Sequence, residues 1–389
     1  MIKILPEIKK YSKELDRIYK DIHSHPELGF EEIRTSQLVE TKLKEFGVDE
    51  ILTGIAKTGV VAVINGVNEG NRPIGLRADM DALPIQEATG LSYASKYEGK
   101  MHACGHDAHT TMLLGAAKHL TKYRNFRGKA VLIFQPAEEG LGGAVGMINE
   151  ELFERFPCDE IYGIHNSPNG KLGEVGICKG LAMAGASFFD IKVLGKGSHA
   201  ARPQESSDPI VIVGNLITQL QTIVSRNLPP DETLVFSITK VSGGTAYNVI
   251  PEEVNLNGTI RFFSKNVFKL VERRIKEICR GFEISYNIKV IVKLKKVFDV
   301  LENNYELSDK YMDTAETIVG SKNVKRNLSP RTGSEDFADM LKLVKGAYCR
   351  IGHNGKEPLH SPKFILDTKV IPIGSSLLAK LVEDRLVNN

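Results

Sequence analysis

The hydrophobic pattern of this 389-residue chain changes period after Gly180, and no other feature constrains its fold as much. Before that point strand and helix signals alternate. A helical apolar rhythm over residues 5–46 is broken at His25-Pro26-Glu27-Leu28-Gly29, and unbroken apolar runs predict strands over 59–65, 74–80, 130–135 and 161–165. Residues 110–123 read as a helix with Leu113, Ala116, Ala117 and Leu120 on one face. Strands that are apolar on both faces and separated by helices imply an α/β layer with a mostly parallel sheet flanked by helices. After Gly180, residues 187–194 alternate as a half-exposed strand does, and Ser207-Asp208-Pro209 opens a helix running to about Arg226. Strands near 233–241 and 253–263, a helix over 265–281 and a strand over 286–296 complete the order β-α-β-β-α-β, with two helices on one face of an antiparallel sheet. The α/β pattern then returns, with a helix near 306–318, the segment Gly333-Ser334-Glu335-Asp336-Phe337 leading into another, a strand over 347–351 and a closing helix from about 371. The expected organisation is 1–181, an inserted module over 182–296, and 297–389, the outer two pieces forming one discontinuous domain.

Composition excludes several classes of partner. Lys plus Arg number 51 against 48 Asp plus Glu, so the net charge of +3 gives no reason to expect nucleic acid or an anionic membrane, and a small molecule is the expected partner. The first residues, Met1-Ile2-Lys3-Ile4-Leu5-Pro6, lead into charges every few positions with no apolar export core, and no uncharged stretch is long enough to span a bilayer. Five cysteines, at 104, 158, 178, 279 and 349, are odd in number and scattered, which argues against a disulfide framework and for a reducing, cytoplasmic setting.

The densest group of metal-ligand types is Met101-His102-Ala103-Cys104-Gly105-His106-Asp107-Ala108-His109, just ahead of a helix. With no second Cys-x-x-Cys or His-x-x-x-His element nearby, a complete site must draw its other ligands from elsewhere in the fold. The strand over 130–135 runs into Pro136-Ala137-Glu138-Glu139-Gly140, which places two carboxylates at a strand's carboxyl end, where open α/β sheets keep their sites. Such a pair can divide the work, one ligating a metal and the other taking a proton from water; a solvated acidic turn is the plainer alternative. His165 also ends a strand, and His360 sits in the proline-bracketed loop Glu357-Pro358-Leu359-His360-Ser361-Pro362, where a loop histidine without a ligand role is the alternative. Arg77-Ala78-Asp79-Met80-Asp81 puts two aspartates on one face at a strand end, suited to the site or to its supporting hydrogen bonds, with an ion pair to Arg77 as the structural alternative.

Taken in order, His25-Pro-Glu-Leu-Gly-Phe, Arg77-Ala-Asp-Met-Asp-Ala-Leu-Pro, Met101-His-Ala-Cys-Gly-His-Asp, Phe134-Gln-Pro-Ala-Glu-Glu-Gly, Leu194-Gly-Lys-Gly-Ser-His-Ala-Ala, Asn248-Val-Ile-Pro and Gly333-Ser-Glu-Asp-Phe resemble the aminoacylase-like metallopeptidase family. Within it the likeness is to the subgroup of hippurate hydrolase, the nearest in motif, plant indole-acetyl-amino-acid hydrolases and N-acetyldiaminopimelate deacetylase. The resemblance implies a catalytic domain carrying an inserted α+β, ferredoxin-like lid and dimerisation domain, hence a homodimer. It implies Cys104, His106, Glu139, His165 and His360 as ligands of two divalent metal ions, Glu138 as general base and Asp79 as the assisting aspartate. His199, Asn248 and Arg261 match positions that bind substrate, the first two from the lid and often from a partner subunit, and the guanidinium fork suits a carboxylate. Ser198 stands where relatives commonly have Gly. A thiolate with three imidazoles suits zinc, nickel, cobalt or copper, and manganese, though harder, is admissible because two-metal hydrolases exchange ions.

The expected reaction is hydrolysis of N-acyl amino acids, hippurate-like or N-acetylated, to a carboxylic acid and a free amino acid. A dipeptidase or aminopeptidase with the same metals is the nearest rival. A non-catalytic dimeric binding protein would not need all five ligands together with Glu138.

Overall fold

The computed structural model describes residues 2–387. It separates into two compact units, one made of Met1–Ala182, Glu302–Ser329 and Asp336–Asn389, the other of Met183–Leu301 and Pro330–Glu335.

The larger unit is built on an eight-stranded sheet. In spatial order the strands are Glu50–Ile55, Gly59–Asn65, Arg127–Gln135, Asn68–Asp79, Glu160–Ser167, Gly346–Gly352, Val175–Gly176 and Val324–Lys325. Arg127–Gln135, Asn68–Asp79, Glu160–Ser167 and Gly346–Gly352 run parallel to one another. Ile74, Leu76, Leu132, Phe134, Tyr162 and Ile164 along these strands are buried, as a sheet covered on both faces requires. The helix His106–Tyr123 is buried along most of its length against this sheet and the closing helix Val370–Arg385. The parallel arrangement brings Asp79, Gln135 and Ser167 to the same edge, so the carboxyl-terminal residues of these strands and the loops leaving them converge there.

The smaller unit has a four-stranded antiparallel sheet in the order Leu234–Gly243, Glu253–Phe262, Gly185–Leu194, Lys289–Phe298, with helices Pro209–Thr222 and Lys265–Tyr286. Phe189, Ile191 and Val193 alternate inward against Leu216, Leu220, Val271 and Ile275 of the helices, which closes its core. Asp208 caps the first helix, its side chain accepting from the amides of Ile210 and Val211; Ser264 caps the second, accepting from Val267.

Several expected boundaries move. The helix expected from 110 starts at His106, because Gly105 turns the chain in the left-handed region at φ 91° and releases it into helix. The helix opened by Asp208 ends at Thr222 and passes into a π turn, Ile223–Asn227. The smaller unit runs to Leu301 and includes Pro330–Glu335, a return that no local pattern signals. Among the described residues no helix is long and apolar enough to cross a membrane, and all five cysteines are free.

Candidate metal centre

Each arm of the candidate site is set by a specific backbone device. The segment after Asp81 pairs with the segment before Cys104 through reciprocal hydrogen bonds between Leu83 and Met101, 2.9 and 3.0 Å. The Gly105 turn then places Cys104 on one side and His106, the first helical residue, on the other. After Gln135 the chain bends at Ala137, a non-glycine residue at φ 52°. Three contacts hold that bend. The Ala137 amide donates to the Glu32 carboxylate at 2.8 Å, the Glu139 amide donates to Asp81 Oδ2 at 3.0 Å, and Gly29 packs so closely that a Cβ there would lie 2.9 Å from Ala137 Cα. His360 is also in the left-handed region, φ 64°, with its amide donating to the Ala103 carbonyl at 2.8 Å. The motif around His25 is therefore scaffolding: Glu27 accepts from the amides of Arg34 and Thr35 at 3.0 and 2.8 Å, and Gly29 lets the Ala137 bend approach.

These devices bring together six side chains expected from the sequence. Ligand-type atoms of Cys104, His106 and His165 lie within 4.8 Å of one another; so do those of Cys104, Glu139 and His360, and of His106, Glu138 and Glu139. Cys104 Sγ is 3.5 Å from His165 Nε2, and His360 Nε2 is 3.2 Å from Glu139 Oε1. Glu139 belongs to two of the groups and bridges the Cys104 side to the His106 side, whereas Glu138 joins only the latter of these.

The electrostatics fit a cation site. Burial, reinforced by Glu139, pushes the Cys104 thiol up, while burial and the neighbouring His109 hold His165 well down, in the neutral form that binds metal. His360, hydrogen-bonded to Cys104 and Glu139, is raised to about 10, the response of a ring facing two acidic groups. His106 Nε2 is buried without a hydrogen-bond partner, an open position that a metal ion or a water would fill. A divalent ion would relieve both the concentration of acidic groups and the unpaired nitrogen, so the residues present fit such ions.

The two aspartates play different parts. Asp81 Oδ1 is 3.1 Å from His106 Nδ1 and its other oxygen holds the Glu139 amide, so Asp81 orients both groups. Asp79 is fully buried; it accepts from Arg77 at 2.7 Å and from His109 Nδ1 at 2.6 Å, and lies 3.7 Å from His106 Nε2. Burial opposes its charge, but His106, Arg77 and His109 hold its carboxyl well below the usual range. The ion pair weighed against a site role for Asp79 is thus present. Arg77 also reaches Gln135 Oε1 at 2.8 Å and Asp336 Oδ1 at 3.1 Å, which ties Asp336 to the strand ends. His109 accepts the Asn166 amide on Nε2 at 2.9 Å, so both its nitrogens are engaged. Asp107 pairs with His23 at 2.6 Å and belongs to none of the candidate ligand groups. His102 is buried with neither ring nitrogen hydrogen-bonded, and burial lowers it to about 4.

Three expected substrate-binding residues lie in the smaller unit. His199 and Asn248 are neighbours: the short strand Ser198–His199 pairs with Val249–Ile250, and the Ala200 amide donates to the Asn248 carbonyl at 3.0 Å. His199 is exposed, with Nδ1 accepting from the Ala201 amide at 3.1 Å. Arg261 sits opposite Ala186 at the far end of the central strand from Leu194 and contacts Thr259, so this unit does not bring it to His199.

The supporting role of Asp81 agrees with the reading of the two aspartates on one strand face, whereas those of Glu32 and Asn166 escape sequence reasoning.

A model of the peptidase family M20/M25/M40 matches residues 75–384. The chain is 42% identical to hippurate hydrolase of Campylobacter jejuni over 378 residues, 97% of this chain and 98% of that one. It is 37% identical to N-acetyldiaminopimelate deacetylase of Geobacillus thermodenitrificans over 348 residues, 90% of this chain and 91% of the other. A crystal structure from Bacillus subtilis, described as a dinuclear metal binding peptidase from the M20 family, matches with a TM-score of 0.84 at 33% identity, covering 97% of this chain and 99% of that one. With its family model matched over most of its length and its relatives aligned nearly end to end, the chain belongs to the peptidase family M20/M25/M40 and is a metallopeptidase-like amidohydrolase.

Proposed function

We propose that the protein hydrolyses N-acyl amino acids, hippurate-like or N-acetylated, to a carboxylic acid and a free amino acid. The observation that carries this is the set of interlocking groups around Glu139, with Glu138 beside it. Cys104, His106, Glu139, His165 and His360 would hold two divalent ions, zinc, manganese, nickel or cobalt, which when bound supply Lewis acidity to the amide carbonyl and lower the pKa of water. Glu138 is the general base: its carboxylate takes the proton of the attacking water and delivers it to the departing amine nitrogen, so one group serves both halves of the reaction. Asp81 keeps the His106 ring and the Glu139 backbone oriented, and Asp79, held by His109 and 3.7 Å from His106 Nε2, is the assisting aspartate. His199 and Asn248 carry donors suited to an oxyanion, and Arg261 a fork suited to the substrate carboxylate. A homodimer formed through the smaller unit, in the cytoplasm, completes the proposal; five free cysteines support the reducing setting.

The test is a comparison of initial rates on hippurate, N-acetyl-amino acids and unblocked dipeptides, each with zinc, manganese, nickel and cobalt. Acyl-amino acids turn over fastest under the proposal. A clear preference for free dipeptides would replace it with a peptidase reading.

A further inference from the structure

We infer that the side-chain amide of Asn166 positions the metal-binding groups Cys104 and His106 by fixing the turn between them, an inference that rests on the metal-centre reading above. Asn166 is buried at the carboxyl end of the strand Glu160–Ser167, directly after His165. It meets the centre from three directions. Its carbonyl accepts from His165 Nδ1 at 2.7 Å, which leaves His165 Nε2 facing Cys104 Sγ. Its backbone amide donates to His109 Nε2 at 2.9 Å. Its side-chain Nδ2 donates to the Cys104 carbonyl and stands 3.1 Å from His109 Nε2.

The first two bonds use the backbone and would be made by any residue. The third is specific to the amide. Both groups within reach of Nδ2 are acceptors: the Cys104 carbonyl has no proton, and His109 carries its proton on Nδ1, where it donates to Asp79. The position therefore calls for a donor, and the buried carbonyl it satisfies belongs to a ligand residue. The fit is also steric. A Cβ on Gly105 would fall 2.3 Å from Asn166 Nδ2, so the amide lies directly against the left-handed turn that separates Cys104 from His106. Residues that orient metal ligands in this way typically influence affinity 10–100-fold.

Asn166→Asp is the discriminating variant because it keeps the shape and replaces the donor by an oxygen facing two acceptors. The probe is cobalt(II) alone, titrated into the metal-free full-length chain, with the thiolate-to-cobalt charge-transfer absorption reporting the bond to Cys104. Wild type develops this band; N166D needs about 10–100-fold more cobalt and shows a weakened or shifted band. Asn166→Ala, which removes the donor without adding an oxygen, also loses affinity and decides the matter if circular dichroism shows N166D to be unfolded. Cobalt affinity and band equal to wild type, with or without a change in the melting temperature of the metal-free chain, would overturn the inference. A wild-type chain that takes up no cobalt would instead overturn the metal-centre reading, and this inference with it.

Discussion

At the scale of single residues, two aspartates two positions apart do different work, and substitution should separate them. Asp81→Asn weakens the hold on His106 and on the Glu139 amide, so metal affinity drops about 10–100-fold while the fold survives. Asp79→Asn leaves Arg77 and His109 facing a neutral group in a buried network, and unfolding free energy falls by about 3–5 kcal/mol. Metal analysis alongside denaturant unfolding checks both; the reverse pattern would exchange the two roles. Glu32 gives a pH-dependent counterpart. Burial raises its carboxyl from 4.5 to about 7, against the hydrogen bonds from Thr58 and Ala137. A raised folded-state pKa means that the folded chain holds a proton the unfolded chain has released. Its stabilising contribution is complete below pH 4.5 and is lost as pH rises through about 7. Glu32→Gln removes this dependence, so the variant gains on wild type between pH 5 and 8, by up to about 3 kcal/mol. Urea unfolding at several pH values measures the gain, and parallel pH profiles for the two proteins would refute it. Cys104 and His106 were legible because scarce residue types crowd into one short segment, and Glu138 and Glu139 because two carboxylates follow the end of an apolar strand. Asp81 was legible as a supporting residue from its place beside Asp79 on one strand face; the functions of Glu32 and Asn166 were not, because common polar residues acquire a role only through partners distant in sequence.

At the scale of elements, the bend at Ala137 couples the strand Arg127–Gln135 to the base. Left-handed conformation in a non-glycine residue costs about 1–3 kcal/mol and persists only where its surroundings over-determine it. Gly29, Glu32 and Asp81 supply that determination from elsewhere in the chain. Gly29→Ala would press a methyl against the Ala137 backbone, which cannot yield locally. It should cost about 1–3 kcal/mol of stability and lower kcat, with the bend displaced. Thermal unfolding and steady-state kinetics together check this, and an unaltered kcat would show that the bend tolerates the shift. The order of the longer elements was readable from period alone, since buried parallel strands and half-wet antiparallel ones differ in pattern, but the strands Glu50–Ile55, Val175–Gly176 and Val324–Lys325 were not foreseen. The start of the helix at His106 was not, because the deciding Gly105 turn has no apolar signature. Nor was the return of Pro330–Glu335 to the smaller unit, which long-range packing decides.

For the whole molecule, one sheet edge explains why the candidate site is assembled from segments so far apart in sequence. Parallel strands ending together bring residues near 79, 137 and 166 into one place, and the loop bearing His360 joins them by a hydrogen bond to Ala103. The central claim is that metal binding and proton transfer belong to different residues of this edge, with Glu138 responsible only for the second. Purified Glu138→Ala enzyme, reloaded with metal and assayed on an N-acyl amino acid, tests it most directly. The expected outcome is about two ions per chain, as in wild type, with kcat lowered roughly 10²–10⁴-fold. Near-normal turnover, or loss of the ions together with activity, would contradict it.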